Sequence, residues 1–429
     1  MQLIVSKRHN LEDVALAASG AKNALLHLLF ATLLTDGDTR FSRAPTTLYD
    51  YFGAKDILHY LGSQVTESQT GTIIITPASA TPVHSIPIEQ TRKTRTSLML
   101  LGSMSKHCGQ LEIGYPGGCS FSDRRPFDIH LEGLKALGAK ISTDYGRIQI
   151  EHHGDQDSCF YLRFPSVGAT INLMLYSAIG NAEIRLENIA LEPEVIAVSD
   201  YLTACGAKLS LDRQKRCLDI KGVSRLHGCS FAIIYDRIQL MSYAAMAYLY
   251  GIDITLTGVD STAYIEAVLT VLDRCGARWH YQPQQQSITF SGRNAQLQAT
   301  RIDAHPYPGF PTDLQPIFAV MLSLADGISC IKDHVYPERI RYVDELKKMN
   351  FPIEIVNGEL TIHPLKNPLA HASMQSHDLR AGMACLLAAS LCEQSSTISH
   401  AEQIFRGYSD LLPNMSHFMQ IAIDHESLL

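Results

Sequence analysis

Residues 134–151, LKALGAKISTDYGRIQIE, carry the pattern that decides the fold. An amphipathic helix ends just before Gly138, and two stretches with alternating apolar residues follow on either side of a short turn. Glycine suits a left-handed helix cap at such a place, because it has no Cβ to clash with the backbone. Alternation with a period of two is typical of strands that bury one face. The stretch therefore predicts a helix, a glycine turn and a β-hairpin.

The same pattern recurs along the chain, which indicates an architecture built from repeats. The other copies lie at 57–76, 202–221, 272–292 and 346–363, with turn residues at Gly62, Gly206, Gly276 and Asn350. Successive turn residues are 76, 68, 70 and 74 positions apart, so a period of roughly 72 divides the 429 residues into six units. A sixth copy near 415–423 is short and weak.

Each unit also has a second helix that is apolar on nearly all sides, which predicts a buried position. These helices are predicted at 23–34, 96–104, 169–179, 240–250, 315–325 and 381–392. Helices that alternate with short strands and hairpins predict an α/β protein with mixed sheets. Counting the units places three of them in residues 21–233 and three in the remainder.

Composition limits the classes of function. The formal net charge is −7, so the chain has no overall basic field for nucleic acid. The opening MQLIVSKRHN and the longest apolar runs are too short for a signal peptide or a membrane span, which predicts a cytoplasmic protein. Ten cysteines without a CxxC or a regular Cys/His spacing argue against a metal site. We expect a monomer or a weak homo-oligomer.

Several of the buried helices are preceded by cations. Lys22, Arg95 and Arg380 stand at or near predicted helix starts, where a positive charge opposes the helix dipole. The polar neighbours of these residues also fit plain helix caps. If the two halves face each other, however, these helix starts line a cleft that collects anions.

The loop at 115–128 predicts a reactive cysteine. Cys119 follows two glycines and precedes Arg124 and Arg125, so positive charge lies a few residues from its sulfur and favours a thiolate. The alternative is an inert cysteine in a Gly/Pro turn. The polar, cationic surroundings favour the reactive interpretation.

Ten motifs occur together in an order that resembles the UDP-N-acetylglucosamine enolpyruvyl transferase family. They are SGAKNALL (19–26), TRTS (94–97), PGGC (116–119), RPFDIHLEGLKALGAKI (125–141), SVGAT (166–170), LEPEV (191–195), DRI (236–238), YPGFPTDLQ (307–315), DLRA (378–381) and RGY (406–408). The resemblance implies an inside-out barrel of two three-unit domains, 21–233 with the catalytic loop, and 1–20 joined to 234–429.

The resemblance also implies roles for individual residues. Cys119 matches the general acid that fosfomycin alkylates, and Asp313 matches the general base at the acceptor hydroxyl. The implied catalytic residues are Cys119, Asp313, Lys22 and Asn23. Phosphoenolpyruvate would contact Lys22, Cys119, Arg125, Arg380 and Arg406. The UDP-sugar would contact Asn23, Arg95, Arg125, Pro126, Phe127, Asp128, Ile129, Ser166, Val167, Gly168, Asp313 and Val335.

The reaction that the resemblance implies transfers the enolpyruvyl group of phosphoenolpyruvate to the 3-hydroxyl of UDP-N-acetylglucosamine and releases phosphate, the first committed step of peptidoglycan synthesis. It needs one acid, one base and a cluster of cations, and no cofactor or metal. Differences from the family pattern keep alternatives open. Phe164 stands where the family has a lysine, Gln239 replaces an acidic residue, the segment 336–339 differs, and the loop between Cys119 and Arg125 is longer. We expect all of these differences to lie on the acceptor side of the site or at its rim. Arg163 could take the lysine's place, or Phe164 could stack on a base.

The alternatives are a paralogue that acts on another nucleotide or nucleotide sugar, a shikimate-pathway enolpyruvyl transferase, and a catalytically inactive binding relative. The loop cysteine and the RPFD segment favour the nucleotide-sugar branch over the shikimate branch. The joint presence of the implied catalytic residues argues against an inactive relative.

Overall fold

The computed structural model describes residues 1–68, 71–78, 83–117 and 127–424. Its helices are α1 (Lys22–Ala31), α2 (Tyr49–Tyr60), α3 (Ile88–Thr91), α4 (Met99–Cys108), α5 (Asp128–Ala136), α6 (Val167–Ala178), α7 (Pro193–Ala204), α8 (Arg237–Tyr250), α9 (Glu266–Arg274), α10 (Gln315–Met321), α11 (Arg341–Lys347), α12 (Leu379–Ala389), α13 (Glu402–Phe405) and α14 (Leu411–Met415). Short 3₁₀ helices span Thr32–Leu34, Arg95–Leu98, Pro283–Gln285, Thr312–Leu314 and Leu322–Leu324.

The strands of the described residues are β1 (Gln2–Lys7), β2 (Val14–Ala17), β3 (Thr35–Asp36), β4 (Thr39–Ser42), β5 (Gln64–Glu67), β6 (Ile73–Thr76), β7 (Ser85–Ile86), β8 (Gln110–Gly114), β9 (Ala139–Asp144), β10 (Arg147–His152), β11 (Ser158–Tyr161), β12 (Glu183–Glu187), β13 (Lys208–Asp212), β14 (Cys217–Lys221), β15 (Leu226–His227), β16 (Ser230–Ala232), β17 (Asp253–Thr257), β18 (Arg278–Gln282), β19 (Ser287–Ser291), β20 (Arg301–Ala304), β21 (Ser329–Asp333), β22 (Ile353–Val356), β23 (Glu359–Ile362), β24 (Ser373–Gln375), β25 (Ser396–Ser399) and β26 (Met419–Asp424).

One sheet topology is repeated six times in this part of the chain. The sheets run β16-β4-β6-β5, β7-β8-β10-β9, β11-β12-β14-β13, β2-β17-β19-β18, β20-β21-β23-β22 and β24-β25-β1-β26. In each of them the first pair is parallel and the other two pairs are antiparallel. The predicted repeat with mixed sheets is therefore confirmed.

The sixth sheet explains why the last copy of the repeat is weak in the sequence. The strand that should complete its hairpin is β1, which pairs with β26 from Gln2 opposite Asp424 to Lys7 opposite Met419. On its other side β1 pairs with β25. The sequence near residue 420 therefore contains only one strand of this hairpin, β26. The other strand, β1, lies at the opposite end of the chain.

The turn residues take the conformation that the repeat predicts. Gly62, Gly138, Gly206 and Gly276 have φ between 70° and 101°. Asn350 has φ 59°, in the left-handed region that asparagine tolerates better than most residues. Each turn therefore ends a helix and directs the chain into the following hairpin.

Buried apolar side chains form two clusters. One draws on residues 21–233 and surrounds α1, α4 and α6, while the other draws on residues 3–5 and 235–419 and surrounds α8, α10 and α12. The six predicted buried helices correspond to these six, with short 3₁₀ segments leading into α4 and ending α10. Within the described residues, no helix is both long enough and apolar enough to span a membrane.

Aspartate and serine side chains begin several of these helices. Asp236 accepts hydrogen bonds from the backbone N–H groups of residues 238 and 239, both at 2.9 Å, at the start of α8. Asp378 does the same at the start of α12, and Ser166 caps α6 through Ala169. These caps fix where each helix begins, and thereby where the cationic residues of the first turns are held.

Candidate active site

The two halves of the molecule meet at the starts of α1 and α8. The backbone N–H of Lys22, the first residue of α1, donates to Asp236 Oδ2 at 3.0 Å. Asp236 is 7% exposed, and burial raises the pKa of its carboxyl group. One aspartate therefore caps a helix of one half and holds the first residue of a helix from the other.

We call Lys22, Asp50 and Arg406 the Asp50 cluster. Asp50 Oδ2 lies 3.0 Å from Lys22 Nζ, and its Oδ1 accepts from Arg406 Nε at 2.7 Å. The side chain of Asp50 is 6% exposed. Burial raises the pKa of Asp50, but the two cations outweigh burial and leave the pKa below its usual value. The cluster brings together two residues that were predicted to bind phosphoenolpyruvate, one from each half.

We call Asp313, Arg339 and Arg380 the Asp313 cluster. Asp313 Oδ1 accepts from Arg339 Nη1 at 2.6 Å, and Asp313 Oδ2 accepts from Arg380 Nη2 at 3.2 Å. Burial raises the pKa of Asp313, but Arg380 and Arg339 outweigh it and hold the pKa well below its usual range. Asp313 is thus an ionised carboxylate, and its side chain remains 25% exposed.

Arg380 has two N–H groups that do not contact Asp313. Its Nε and Nη1 are buried and form no hydrogen bond within the described part of the chain. The guanidinium carbon lies 5.2 Å from the centroid of the Tyr408 ring, and the Tyr408 hydroxyl interacts both with this guanidinium and with Ser242 Oγ, which is 3.2 Å away. A buried N–H without a partner is costly, so these donors favour an added anion.

Arg339 was absent from the predicted site residues. Its segment was noticed in the sequence only as a difference at 336–339. In the structure Arg339 Nη1 also lies 3.3 Å from Thr312 Oγ1, which donates to Asp333 Oδ2 at 2.5 Å. Asp333 Oδ1 accepts from the backbone of Val335 at 2.8 Å, so the predicted sugar contact Val335 is fixed by the same network.

A second ion pair between the halves was also missed. Arg237 at the start of α8 binds Glu194 of α7 through two contacts of 3.1 and 3.3 Å. Nearby Glu192 Oε1 accepts from the backbone of Tyr307 at 3.3 Å, and burial raises the pKa of Glu192. Both glutamates belong to the motif LEPEV at the start of α7, and the motif itself was their only signal in the sequence.

On the predicted acceptor side, Arg163 forms ion pairs with Asp128 and Glu132. Residues 163–164 therefore lie against the start of α5, where the predicted uridine contacts Asp128 and Ile129 are found. Arg163 is engaged with these carboxylates, and Phe164 is 37% exposed. The structure thus brings the segment at 163–164 next to the start of α5, although the two are well separated in the sequence.

The remaining predicted residues have varied surroundings. Asn23 follows Lys22 on α1 and is half-buried, Arg95 begins a 3₁₀ helix, and Val167 and Gly168 open α6 after its cap Ser166. The Phe127 ring packs edge-on against Tyr115 with centroids 5.2 Å apart. The predicted residues Cys119, Arg125 and Pro126 lie outside the described residues.

Gln239 differs from its expected position. We placed this departure on the acceptor side or at the rim, but Gln239 is 3% exposed. Its Nε2 donates to Tyr243 and to the backbone oxygen of Ser409, both at 3.0 Å, and its Oε1 accepts from Ser19 at 3.1 Å. Gln239 therefore holds the backbone around Ser409, and a glutamate could not make both donations.

Among the described residues, no three His, Cys, Asp or Glu side chains are grouped closely enough to hold a metal ion. The site instead consists of buried cations from both halves, arranged around carboxylates, at the starts of core helices. Two repeated three-unit halves around such a cleft define the class of carboxyvinyl (enolpyruvyl) transferases. Comparison with known proteins agrees, because the chain belongs to the family of EPSP synthase (3-phosphoshikimate 1-carboxyvinyltransferase), whose profile matches residues 6–415.

Within the family the chain is similar to proteins of a different name. It is 34% identical over 398 residues to the UDP-N-acetylglucosamine 1-carboxyvinyltransferase of Halothermothrix orenii, with 93% of each chain covered. It is 34% identical over 420 residues to the enzyme of the same name from Prosthecochloris aestuarii, covering 97% of this chain and 96% of the relative. The resemblance inferred from the motifs is confirmed.

A solved structure supports the fold. The enolpyruvyl transferase NikO from Streptomyces tendae superposes with a TM-score of 0.88 at 20% identity, covering 98% of both chains. The predicted inside-out barrel is therefore confirmed.

Proposed function

We propose that this protein transfers the enolpyruvyl group of phosphoenolpyruvate to the 3-hydroxyl of UDP-N-acetylglucosamine and releases phosphate. The observation that carries the proposal is Arg380, a buried guanidinium with two unpartnered N–H donors beside the carboxylate of Asp313. In this pair, Arg380 can bind an anionic substrate and Asp313 can accept a proton. The names of the relatives that are 34% identical over nearly the whole chain supply the acceptor.

The cations divide the work on phosphoenolpyruvate. Lys22 and Arg406 come from opposite halves and meet at Asp50, so they would bind the substrate's anionic groups together when the halves are closed. Arg380 supplies further donors, and all three cations stabilise the phosphate as it leaves. Arg125 joins this set in the proposal.

Addition to the double bond of phosphoenolpyruvate needs an acid and a base on opposite sides of the reacting carbons. Asp313 accepts the hydroxyl proton, since it is ionised and partly exposed next to Arg380. Cys119 delivers a proton to the methylene carbon, and Asn23 contacts the tetrahedral intermediate. In the elimination step the methyl carbon then loses a proton, the double bond forms again, and the C–O bond to phosphate breaks, so that phosphate leaves.

The UDP-sugar is proposed to lie along the first half. Its nucleotide contacts residues 127–129 and the start of α6 at 166–168. The ion pair between Asp128 and Arg163, which shortly precedes α6, connects these two segments. Arg95 faces the diphosphate, and Pro126 and Val335 complete the site.

The two apolar clusters support two domains, 21–233 and 1–20 joined to 234–429. With these substrates the protein would act in peptidoglycan synthesis in the cytoplasm, as a fosfomycin target and as a monomer or weak homo-oligomer.

A second candidate is a paralogue with another nucleotide or nucleotide sugar as acceptor. Phe164 favours it, because an exposed aromatic ring beside α5 offers a stacking surface where the family has a lysine. Arg163 is held by two carboxylates and is less able to replace that lysine.

Phosphate release from phosphoenolpyruvate tests both candidates. UDP-N-acetylglucosamine, other UDP-sugars, UMP and shikimate 3-phosphate would be compared as acceptors. Cys119→Ala tests the proposed acid, and Cys159→Ala is its matched control, because Cys159 is an exposed cysteine on β11 that has no role in the proposed reaction. Release with UDP-N-acetylglucosamine alone, lost in Cys119→Ala and kept in Cys159→Ala, is the expected result.

Turnover with UMP or another UDP-sugar instead would replace the first candidate with the second, and turnover with shikimate 3-phosphate alone would contradict both. Binding of phosphoenolpyruvate without turnover on any acceptor would indicate an inactive relative, and would contradict both candidates.

A further inference from the structure

Asp313 occupies a pocket that is built for an anion. Arg339 precedes α11 and Arg380 lies in the first turn of α12, and their side chains are 5% and 3% exposed. Together they hold both oxygens of Asp313. Two buried guanidinium groups around one carboxylate are what a protein presents to a carboxylate or phosphate ligand. Here the carboxylate is the protein's own.

The two arginines hold Asp313 unequally. Arg339 makes the shorter contact, 2.6 Å, and is also tied to Thr312 at 3.3 Å. Arg380 makes a contact of 3.2 Å and leaves Nε and Nη1 buried without a hydrogen bond. An incoming anion that bonds to these donors would satisfy them, so the contact between Arg380 and Asp313 is the one that a ligand can replace.

The surrounding charges make Asp313 a poor base as long as both contacts persist. Burial raises its pKa, but Arg380, Arg339 and Lys22 outweigh burial and keep the pKa well below its usual range. Arg237 also interacts electrostatically with Asp313. A carboxylate held in this way has little tendency to take a proton from a hydroxyl. An anion that neutralises Arg380 and Lys22 removes part of that restraint.

We propose that Asp313 is the resident anion of this pocket, and that an anionic group of phosphoenolpyruvate draws Arg380 away from Asp313 and so frees it to accept the acceptor's proton. The proton then passes from the acceptor hydroxyl to Asp313 Oδ2, while the hydroxyl oxygen bonds to the phosphate-bearing carbon of phosphoenolpyruvate. The electron pair of the C=C bond takes up a proton at the methylene carbon, as described for the proposed function. Binding of one substrate thereby activates the base for the other. This inference rests on the proposed function, which supplies the two substrates.

Competition between Asp313 and a ligand can be measured without turnover. Calorimetry would compare the binding of phosphoenolpyruvate, inorganic phosphate and pyruvate to the wild type, Asp313→Asn, Arg380→Gln and the double variant. Asp313→Asn is expected to bind phosphoenolpyruvate about tenfold more tightly or better, because the resident competitor has lost its charge. The gain should largely disappear in the Arg380→Gln background. Phosphate and pyruvate show which anionic group of the substrate competes.

Two results would overturn the inference. One is no gain in Asp313→Asn, and the other is an equal gain with and without Arg380, which indicates general electrostatics rather than competition for one side chain. Asp303→Asn serves as the charge control, because Asp303 pairs with Arg301 in an exposed ion pair of the same half. If Arg380→Gln does not fold, Arg380→Lys keeps the charge and removes the two spare donors.

A spectroscopic measurement addresses the contact itself. With ¹³C-labelled aspartate carboxyl groups, the Asp313 signal is assigned by its loss in Asp313→Asn. Phosphoenolpyruvate should shift this signal in the wild type, and ligand-free Arg380→Lys should already show most of the shift. A signal that stays unchanged on binding would contradict the exchange. Neither measurement needs an acceptor, so failure of this inference can be distinguished from failure of the proposed function. A protein that releases no phosphate can still show the competition, and an active enzyme can lack it.

Discussion

The Asp50 and Asp313 clusters are built from the same groups but are held in different ways. Each has one carboxylate between two cations. In the Asp50 cluster the carboxylate is 6% exposed and the cations come from opposite halves. In the Asp313 cluster all three residues come from the same half, the carboxylate is 25% exposed, and Arg380 retains free donors.

The difference indicates a structural role for the Asp50 cluster and a ligand-binding role for the Asp313 cluster. A closed ion pair across the halves contributes to holding them together, and removing one partner leaves buried charge without compensation. A partly open pair with unused donors is suited to exchange with a ligand. We therefore expect substitution of the carboxylate Asp50 to act mainly on stability and closure, and substitution of the carboxylate Asp313 to act mainly on chemistry.

The strongest test of that division is Asp313→Asn. Loss of a general base is expected to lower kcat by about 10³-fold, within the usual range for proton transfer. The affinity for phosphoenolpyruvate should be kept or increased. Steady-state kinetics with both substrates varied would measure this. An undiminished kcat would exclude Asp313 as the base, and Asp303→Asn should behave like the wild type.

Asp50→Asn should have its main effect on folding. It leaves Lys22, whose side chain is 9% exposed, beside a neutral amide and removes the carboxylate that the partly buried Arg406 contacts, at a cost of about 3 kcal/mol in the free energy of unfolding. Asp56→Asn on the same helix α2 is the matched control. It removes an exposed partner of Lys93 and should cost less than about 1 kcal/mol. Chemical denaturation compares them, and equal losses would mean that the Asp50 cluster is not a structural tie.

A pH titration separates the clusters from their surroundings. His27 lies one turn beyond Asn23 on α1, and burial lowers its pKa to about 4. An unfolded histidine has a pKa of about 6.5, so between these values the unfolded state binds a proton that the folded state does not. Stability should fall as the pH falls through this window, by about 3 kcal/mol in total.

The variant His27→Gln should lack this loss, and its stability between pH 6.5 and 4 should be flatter than that of the wild type. Asp50 and Asp313 act in a lower window. Their lowered pKa values contribute stability that is present above the ordinary carboxyl pKa and is lost as the pH falls below it. Identical pH profiles for the wild type and His27→Gln would show that the histidine is not buried as described.

The smallest effect is expected at the exposed acceptor side. Phe164→Ala removes a partly exposed ring and should raise KM for the nucleotide acceptor by about fivefold to tenfold, which corresponds to the lower end of the stacking energy of one base. KM for phosphoenolpyruvate should not change, because both ion-pair clusters are untouched. Kinetics with UDP-N-acetylglucosamine and UMP would show this. A change confined to the phosphoenolpyruvate constant would contradict the placement of Phe164.

Local physics explains which features the sequence could predict. The glycine turns and the buried helices follow from short-range rules, and Asn350 obeys the same left-handed geometry as the glycines. Asp50 was missed, since nothing near it in sequence indicates that it binds Lys22 and Arg406, which is 356 positions away. Gln239 was placed wrongly for the same reason, because its partners Ser19 and Ser409 are distant in the chain.

The site shows the same limit. Motifs identified Lys22, Asp313, Arg380 and Arg406 as a set, but pairing among them depends on how two halves face each other. Arg339 could have been found only by asking which cation lies beside Asp313, a question about distance in space. The parts of the proposal that depend on Cys119 and Arg125 remain predictions from the motifs.

The pairing of β1 with β25 and β26 has a consequence for how the protein is made. On the ribosome β1 (Gln2–Lys7) is synthesised before both of its partners, the nearer of which begins only at Ser396. The cluster formed by residues 21–233 can assemble while synthesis continues, whereas the other cluster must wait for its last strand. Until then an apolar strand is carried without a partner. Nascent chains that stall late in translation should therefore hold one finished half and one that recruits chaperones.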